Sequence, residues 1–478
     1  MYKHNMTMLT DFYEFTMANG YFEAGMADDI AYFDMFFRKI PEDGGFAILS
    51  GINDLIEYLQ NLKFTDEDIE YLESKNIFSK GFLDYLRNFK FQCDVWAVPE
   101  GTAVFPGEPI VTIRGPVVQA QLIETMTLLL LNHQTLIATK ANRIVRAAEG
   151  RPVAEFGSRR AQGSSGAIYG AKAAYIGGCA GTACTIVDRD FGIDAKGTMA
   201  HSWVQSFDNE YEAFKTYAKT YPDNCVFLVD TYNTLKSGIP NAIKVFKECK
   251  PKNMGIRIDS GDVAYLTKKA RQMLDDAGLK DCTIMVSNSL DEYLIREVLS
   301  QGACIDAFGV GERLITAKSQ PVFGGVYKLA AIEKNGKIIP KIKVSENVEK
   351  ITNPGVKSLY RLYDKDNNRA IADVITLESE PVPSGDDYEI FDPQNVWKRK
   401  KVSNFTAKNL RKKIFDKGKL IYDKPNIEEI RNYVKSQVSA LWDEMLRFEN
   451  PQIYYVDLSH DLWKLKKNMI EDVSNIGK

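Results

Sequence analysis

The chain has 478 residues, of which 45% are hydrophobic and 26% are charged, and its formal net charge at pH 7 is −3. This length predicts two or three domains, and this composition is typical of a folded soluble protein and excludes a largely disordered one. The small net charge gives no general attraction to polyanions, so we expect no nucleic-acid partner.

Seven cysteines occur in the chain, and none of them stands in a CxxC pair. Their spacing matches neither a zinc site nor a disulfide framework, and free thiols are typical of a reducing compartment. The N-terminus lacks the apolar core of a signal peptide. The longest apolar run, MTLLLLNHQTLIA, contains polar residues and is too short to span a bilayer. We therefore expect a cytoplasmic protein that makes no membrane contact.

The N-terminal part of the chain alternates helical and short extended patterns. In GINDLIEYLQNL, apolar residues recur at positions that share one face of a helix. In TDEDIEYLES, Thr65 is a suitable N-cap and acidic residues fill the first turn. These two segments predict two short amphipathic helices.

A small β unit is predicted over residues 91–115, where Val, Thr and aromatic residues are interrupted by Pro-Glu-Gly and Pro-Gly-Glu-Pro turns. A long helix is predicted next, over roughly residues 119–148. We expect residues 1–135 to form an N-terminal α+β domain, which is completed by about residues 331–394.

From residue 153 onward, short apolar runs recur, and nearly all are followed by a polar or Gly-containing turn and a candidate helix. Continuous apolar strands that alternate with helices predict a parallel sheet covered by helices. The number of units predicts an irregular (β/α) barrel over residues 136–330, and an open doubly wound sheet is the alternative. The runs are VAEF (153–156), GGCAGTA (177–183), GTMA (197–200), VFLVD (226–230), GIRID (255–259), TIMVS (283–287), DAFGVG (306–311) and GGVYKLA (324–330).

Charged β-like segments such as KIIPKIKVS return after residue 331. Residues 395–478 are expected to form a mainly helical C-terminal extension. The strongly basic stretch KRKKVSNFTAKNLRKK at 398–413 is interpreted as a solvated face, in preference to a polyanion site.

Polar and glycine-rich residues collect directly after the apolar runs. Active sites of parallel barrels lie at the carboxyl ends of the strands, so these residues are the candidates for a functional site. They are Glu155, Phe156, Arg159, Arg160, Thr198, His201, Asp230, Thr231, Arg257, Asp259, Ser260, Asp262, Ser287, Asn288, Ser289, Gly309, Gly311 and Thr316.

The chemistry of these residues favours phosphate and sugar ligands. Adjacent arginines grip phosphate with planar donor groups, although each could instead pair with a surface acid. The Ser-Asn-Ser and Gly-x-Gly turns can present backbone N–H groups to a phosphate. Asp259 and Asp262 in DSGD suit sugar hydroxyls and a magnesium ion, and the alternative for Asp262 is a helix N-cap.

His201 is one of four histidines and stands among small residues in GTMAHSW. A histidine kept for packing normally has bulky apolar neighbours, whereas small neighbours leave room for a group to approach the ring. His201 is therefore a candidate acid–base group, nucleophile or electrostatic contact in an enzyme that acts on a phosphorylated sugar.

Seven motifs in order resemble the nicotinate phosphoribosyltransferase family: TDFYEFTMANGYF, EFGSRRAQG, GTMAHSW, LVDTYNTLKSGI, GIRIDSGD, VSNSLDE and FGVGERLIT…GGVYKL. They are more distantly similar to nicotinamide phosphoribosyltransferases. The resemblance implies a type II phosphoribosyltransferase fold and the formation of nicotinate mononucleotide and diphosphate from nicotinate and 5-phosphoribosyl 1-diphosphate, in NAD biosynthesis. It also implies Mg²⁺, ATP hydrolysis through a phosphohistidine, and a homodimer with shared active sites.

The resemblance assigns roles to individual residues. His201 matches the phosphorylated histidine, and Asp230 is our candidate to orient its imidazole. Asp259 is also the candidate Mg²⁺ ligand. The implied nicotinate-binding residues are Tyr13 (from a second subunit), Phe156, Thr198 and Arg257. The implied phosphoribosyl diphosphate-binding residues are Arg159, Asp259, Ser287, Asn288, Gly309, Gly311 and Thr316.

Ala183 distinguishes the acid from the amide as substrate. Nicotinamide-using relatives have an aspartate at this place, and a carboxylate would repel nicotinate. Glu312 departs from the family pattern, in which Gly or Thr occurs, and this departure affects the phosphate loop. Two rivals remain: a quinolinate phosphoribosyltransferase, which needs no ATP, and a non-catalytic metabolite-binding relative.

Overall fold

The computed structural model describes residues 6–385 and 387–475, and the chain divides into two compact units. One unit combines the N-terminal part, up to Thr135, with the part from Val322 onward. The other unit runs from Leu136 to Pro321 and carries the predicted strand–helix repeats. Within the described ranges, no helix is both long and apolar enough to cross a membrane.

The strands are numbered in chain order. They are β1 Ile30–Phe37, β2 Ala47–Ile48, β3 Asp94–Ala97, β4 Ala103–Val104, β5 Val111–Pro116, β6 Val153–Glu155, β7 Gly181–Thr182, β8 Cys225–Leu228, β9 Met254–Ile258, β10 Thr283–Ser287, β11 Ala307–Val310, β12 Gly325–Lys334, β13 Lys337–Pro340, β14 Lys357–Asp364, β15 Ala370–Leu377, β16 Tyr388–Phe391, β17 Arg399–Val402, β18 Phe405–Asn409, β19 Lys412–Asp416, β20 Lys419–Leu420 and β21 Val456–Leu458.

The α-helices are numbered in the same way. They are α1 Phe12–Glu23, α2 Ile52–Gln60, α3 Asp66–Ser74, α4 Lys80–Arg87, α5 Val117–Leu122, α6 Glu124–Ala147, α7 Gly163–Ile176, α8 Thr185–Phe191, α9 His201–Gln205, α10 Glu210–Thr220, α11 Ile239–Cys249, α12 Val263–Asp276, α13 Glu292–Ser300, α14 Glu312–Ile315, α15 Ile427–Ser439 and α16 His460–Asn475.

The unit that contains both chain ends is built on antiparallel sheets. Its largest sheet has seven strands in the order β13-β12-β1-β5-β3-β19-β20, and a second sheet has the order β18-β14-β15-β21. The predicted helices are confirmed: α2 buries the apolar face of GINDLIEYLQNL, and Thr65 begins α3 with a reciprocal capping box to Asp68. The predicted β unit over residues 91–115 is confirmed as β3, β4 and β5.

The unit from Leu136 to Pro321 contains a six-stranded parallel sheet in the order β7-β6-β11-β10-β9-β8. The predicted irregular barrel is thus a curled half-barrel, since β7 and β8 are its two edges. The apolar strands are buried against helices, and the rings of Phe214, Phe227 and Phe246 stack at centroid distances of 4.6 Å. Such buried stacks hold the helices on the sheet through apolar burial.

Two of the predicted barrel strands are wrong. GTMA (197–200) forms no strand, and its neighbour Ala195 makes only an isolated bridge to Thr182 of β7. A run this short, among residues with little side chain to pack, does not sustain a ladder. GGVYKLA belongs to β12, which pairs antiparallel with β1 in the other unit, so the boundary lies after Pro321 rather than at 330.

The expectation of a mainly helical segment over residues 395–478 is only partly met. Helices α15 and α16 lie there, together with strands β17 to β21. Strands β17 to β20 are short and carry lysine, and lysine on exposed strand positions gives a charge pattern close to that of a solvated helix face. The basic stretch at 398–413 is mostly exposed on them, as the favoured interpretation predicts.

A buried ion pair ties the antiparallel unit together. Arg361 on β14 donates to both carboxylate oxygens of Asp373 on β15, at 2.8 and 2.6 Å, and both side chains are almost fully buried. The same guanidinium donates to Gln437 of α15 and to the carbonyl of Ala103, and Tyr454 donates its hydroxyl to Asp373. Strands β4, β14 and β15 and helix α15 are therefore held by one cation.

We expect Arg361→Gln to lower the free energy of unfolding by about 3–5 kcal/mol, because it leaves the Asp373 carboxylate buried without its partner. The matched control is Arg399→Gln, which breaks a pair with Glu389 that is half exposed and is expected to cost under about 1 kcal/mol. Urea unfolding followed by tryptophan fluorescence measures both. Equal losses in the two variants would contradict the role of the buried pair.

Candidate active site

The register of the parallel sheet brings the predicted residues to one edge. Arg257 of β9 is aligned with Leu228 of β8 and with Met285 of β10, and Ser287 is aligned with Gly309 of β11. Because the strands are parallel and in register, the segments that follow them begin at the same edge. This edge is where active sites of parallel α/β proteins form.

His201 begins helix α9 and lies at this edge with part of its ring exposed. Its Nδ1 is 3.1 Å from the hydroxyl of Thr231, and its Nε2 is 3.9 Å from a carboxylate oxygen of Asp259. The side chains of His201 and Asp259 are 40% and 38% exposed, which leaves Nε2 open to a ligand. The small neighbours of His201 thus have the predicted effect of keeping space beside the ring.

Asp230 has a different place from the one expected. Its Oδ2 accepts the backbone N–H of Asp259 at 3.0 Å and the hydroxyl of Ser260 at 2.6 Å, while Thr231 contacts the imidazole. Since a carboxylate that holds a turn in this way is committed to it, Asp230 positions Asp259 rather than orienting His201. Its second oxygen, Oδ1, is buried without a hydrogen-bond partner.

Asp259 connects two strand ends. Its Oδ1 accepts the hydroxyl of Ser287 at 2.6 Å, and its Oδ2 faces His201. Asp262 accepts the backbone N–H of Tyr265 and caps α12, as the alternative for this residue predicts. The two acids of DSGD therefore have separate tasks, and only Asp259 belongs to the site.

Phe156 lies on the floor of the site against Gly309. A Cβ atom at Gly309 would be 2.6 Å from two ring atoms of Phe156, so only glycine permits this contact. Beneath the ring, Glu155 is buried and accepts the hydroxyl of Thr182 at 2.7 Å and the N–H of Gly157. Burial raises the pKa of Glu155, and these two hydrogen bonds oppose that rise.

The irregular segment before His201 contains Thr198 and accepts a hydrogen bond from Arg257. Arg257 donates to the carbonyl of Met199 at 2.7 Å, and Tyr217 donates to the carbonyl of Thr198 at 3.2 Å. The Nε of Arg257 and the hydroxyl of Thr198 are buried and have no hydrogen-bond partner. These two unsatisfied polar groups are available to a ligand.

Arg159 and Arg160 are both exposed on the turn after β6, but their charges influence the pKa values of different residues. Burial lowers the pKa of Arg257, and the positive charge of Arg159 lowers it further, whereas Asp259 and Asp230 oppose the change. Arg160 instead lies near Glu312, which also pairs with Lys318 at 2.8 Å. Arg159 therefore lies close enough to Arg257 for their charges to interact.

The remaining residues of the predicted phosphate site make local contacts. Asn288 accepts the N–H of Ser289 with its side-chain oxygen and is exposed. Gly311 precedes the short helix α14, and Thr316 follows it and donates its hydroxyl to the carbonyl of Glu312. These residues form the turns beyond β10 and β11, at the same edge as Ser287 and Gly309.

Ala183 lies at the site edge, and Tyr13 lies in the other unit. Ala183 follows β7, is exposed, and donates its N–H to the carbonyl of Glu155, beside Phe156. Tyr13 is on α1 and is 46% exposed. Burial and the acids Glu124, Glu14 and Asp11 raise the pKa of Tyr13 to about 12, so its hydroxyl stays protonated at neutral pH.

A magnesium ion would find two carboxylates at this edge. Asp230 offers a buried oxygen without a partner, and Asp259 offers one that is partly exposed. Among residues 6–385 and 387–475, no group of three or more His, Cys, Asp or Glu side chains is arranged to hold a metal ion. This donor set fits Mg²⁺, which commonly uses one or two carboxylates together with substrate phosphates and water.

Sequence reasoning placed Glu155 and Thr231 among the strand-end candidates without giving either a role, and it did not select Tyr217. Thr231 directly follows Asp230 in LVDTYN, so its position after β8 was visible, but the direction of its side chain was not. Glu155 lies within the EFG motif and supports the floor from below. Tyr217 is far from the strand ends in sequence and has no local signal.

Comparison with known protein families gives one consistent result. A model of the nicotinate phosphoribosyltransferase (NAPRTase) family matches residues 152–367. Models of the N-terminal and C-terminal domains of nicotinate phosphoribosyltransferase match residues 8–132 and 356–466. The matches thus extend over both compact units.

Individual relatives and a solved structure agree. The chain is 45% identical to the nicotinate phosphoribosyltransferase of Bacillus subtilis, over 98% of this chain and 96% of the relative. It is 30% identical to the human enzyme of that name, over 97% of this chain and 96% of the relative. The crystal structure of human nicotinic acid phosphoribosyltransferase superposes with a TM-score of 0.85 and 28% identity, over 96% of this chain and 99% of that one. This likeness confirms the expected fold class.

Proposed function

The chain belongs to the nicotinate phosphoribosyltransferase family, and we propose that it couples this transfer to ATP hydrolysis through phosphorylation of His201. The overall reaction joins nicotinate to 5-phosphoribosyl 1-diphosphate, gives nicotinate mononucleotide and diphosphate, and supplies NAD biosynthesis. The seven free cysteines, five of them buried, are typical of a reducing compartment such as the cytoplasm.

The observation that carries the ATP-dependent step is the position of His201. With its Nδ1–H directed to the hydroxyl of Thr231, the ring presents the lone pair of Nε2 toward the open side of the site. In the proposed step Nε2 bonds to the γ-phosphorus of ATP, the bond to the bridging oxygen breaks, and ADP leaves. Holding the ring in one orientation lowers the entropic cost of this step.

The nicotinate ring is proposed to lie on Phe156, with its carboxylate near Arg257 and Thr198. Both residues have a buried polar group without a partner, which a carboxylate can satisfy as an acceptor. Burial of Arg257 strengthens such a charge-assisted hydrogen bond. Tyr13 is proposed to cover the other ring face from a second subunit.

The sugar diphosphate is proposed to lie along the strand ends. Asp259 holds the ribose hydroxyls, Arg159 contacts the diphosphate, and the turns that follow β10 and β11 bind the 5′-phosphate. These turns carry Ser287, Asn288, Gly309, Gly311 and Thr316. Because Ser287 already donates to Asp259, its backbone N–H is the better candidate for the phosphate contact.

Mg²⁺ is proposed to bind Asp230 and Asp259, which are held close together because Asp230 accepts hydrogen bonds from the Asp259 N–H and the Ser260 hydroxyl. When bound, the ion neutralises negative charge on the diphosphate leaving group. Asp230 then keeps Asp259 in place through the Asp259 N–H, whether or not the ion is present.

A homodimer is proposed because the exposed face of α1 carries large apolar side chains. Phe12, Tyr13 and Met17 are 47%, 46% and 38% exposed, and Leu9, just before the helix, is 38% exposed. Large apolar groups gathered on one surface are typical of protein–protein contacts. Tyr13 lies within this surface, which supports a site shared between subunits.

His201→Ala should abolish labelling by γ-labelled ATP, because the phosphoryl acceptor is lost, while some ATP-independent transfer remains. The wild type should carry one acid-labile label. The control is His460→Ala, which removes an exposed histidine and should keep the label. Acid-labile label that persists in His201→Ala would contradict the assignment without contradicting family membership.

Mixing Tyr13→Ala with His201→Ala should restore activity if Tyr13 acts across the dimer. A hybrid dimer then contains one intact site, and random exchange makes half of the dimers hybrids, so roughly a quarter of wild-type activity should return. Subunit exchange is checked with differently tagged chains. Absence of recovery after verified exchange would show that each chain completes its own site.

Ala183→Asp should lower the ratio of kcat/KM for nicotinate to that for nicotinamide about tenfold, which corresponds to about 1–2 kcal/mol. Two like charges about 4 Å apart cost about 4 kcal/mol at an effective dielectric near 20, and relaxation reduces this value. Ala183→Asn is the matched control, because it has nearly the same size without the charge. A folded, active Ala183→Asp enzyme with an unchanged ratio would place the selectivity elsewhere.

A further inference from the structure

A polar cavity of about 340 Å³ lies in the antiparallel unit, which does not contain the candidate active site. This volume is at the lower end of roughly 300–1,000 Å³ for small-molecule pockets. One wall is the face of the seven-stranded sheet, and the other is formed by the ends of β14 and β15 and the β18–β19 connection. The lining residues are Tyr32, Asp94, Trp96, Arg114, Val356, Lys357, Ser358, Glu378, Asn409, Arg411 and Lys413.

Most of the cations in this cavity are neutralised by carboxylates. Arg114 donates to Asp94 and to Glu333, both at 3.0 Å, and to the hydroxyl of Tyr32. Lys413 lies 3.2 Å from Asp94 and also pairs with Asp416. These cations are part of the internal structure of the wall.

Lys357 is also satisfied. Its ammonium group lies 2.8 Å from Asp34 and donates to the carbonyls of Asn353 and Gly355 at 2.8 and 2.6 Å. Three donors and three acceptors are thus matched, which leaves Lys357 no donor for a ligand.

Arg411 is the exception. Its Nε is buried without a hydrogen-bond partner, and its guanidinium forms no ion pair within the part of the chain that the structure describes. Burial lowers the pKa of Arg411, and the charges of Asp34 and Glu378 oppose this change. A buried guanidinium nitrogen without a partner is costly, and an anion placed beside it would remove that cost.

The walls also define the kind of anion. Arg114 lies 5.6 Å from the ring centroid of Tyr32 and Lys413 lies 5.2 Å from that of Trp96, so a cation already covers one face of each ring. The lining is polar, and a planar guanidinium matches the paired oxygens of an oxyanion. A cavity of this volume suits a small ion and not a nucleic-acid strand.

We propose that this cavity is a second ligand site, which binds a phosphate-type oxyanion through Arg411. The anion is either free inorganic phosphate or the phosphate group of a small metabolite, and both present the same oxygens to the guanidinium. The basic stretch at 398–413 thus contains one inward-facing residue with a binding role among largely solvated neighbours.

The test compares Arg411→Gln with Arg447→Gln, in which the same substitution is made at an exposed arginine. Inorganic phosphate, diphosphate and AMP are titrated separately by calorimetry, and crystals of the wild type are soaked in selenate. We expect an anomalous selenium peak beside Arg411, and affinity for at least one of the three anions should weaken about tenfold in Arg411→Gln only. Which of the three anions binds most tightly identifies the source.

Thermal unfolding supplies an independent measurement. An anion that binds only the folded protein raises the midpoint of unfolding, so phosphate should stabilise the wild type and Arg447→Gln more than Arg411→Gln. If Arg411→Gln does not fold, Arg411→Lys takes its place, since lysine keeps the charge but lacks the planar pair of donors that matches an oxyanion. A cavity without selenium, or equal anion affinities in the arginine variants, would overturn the proposal.

Discussion

Parallel hydrogen bonding of six short strands is the constraint on which the candidate site depends. Because β8, β9, β10 and β11 are in register, the residues that follow them emerge together at one edge of the sheet. Asp230, Asp259 and Ser287 are far apart in sequence, yet they form a continuous set of hydrogen bonds. Most side chains within these strands are apolar and buried, and they fix the sheet that places the polar groups at this edge.

Within the site, the two carboxylates form a connected set of contacts that leads to His201. Asp230 fixes the backbone of Asp259, Asp259 accepts from Ser287, and its remaining oxygen faces His201. An imidazole held by Thr231 on one side and a fixed carboxylate near the other loses little further freedom when a ligand arrives. Because the ring is held in this way, a partly exposed histidine can act in the proposed phosphoryl transfer.

The sequence was informative where apolar runs end in polar residues, and this identified the strand ends, the long helix and the edge that carries His201. It was misleading for GTMA, since this run of four residues, three of them small, is predicted as a strand but makes no ladder. It also failed for the lysine-rich strands near the C-terminus, whose exposed charges follow the sheet edge. The partner of the imidazole required the structure, because adjacent residues such as Asp230 and Thr231 point in different directions.

In the antiparallel unit, the partners of a buried cation indicate whether it stabilises the fold or is available to bind a ligand. Arg361 donates hydrogen bonds to Asp373, Gln437 and the carbonyl of Ala103. Its charge is thus neutralised within the fold, and these contacts stabilise the fold. Arg411 is less buried than Arg361, and among the described residues its Nε has no such partner. Since a buried donor without a partner opposes folding, an anion beside Arg411 in the polar cavity would remove this cost.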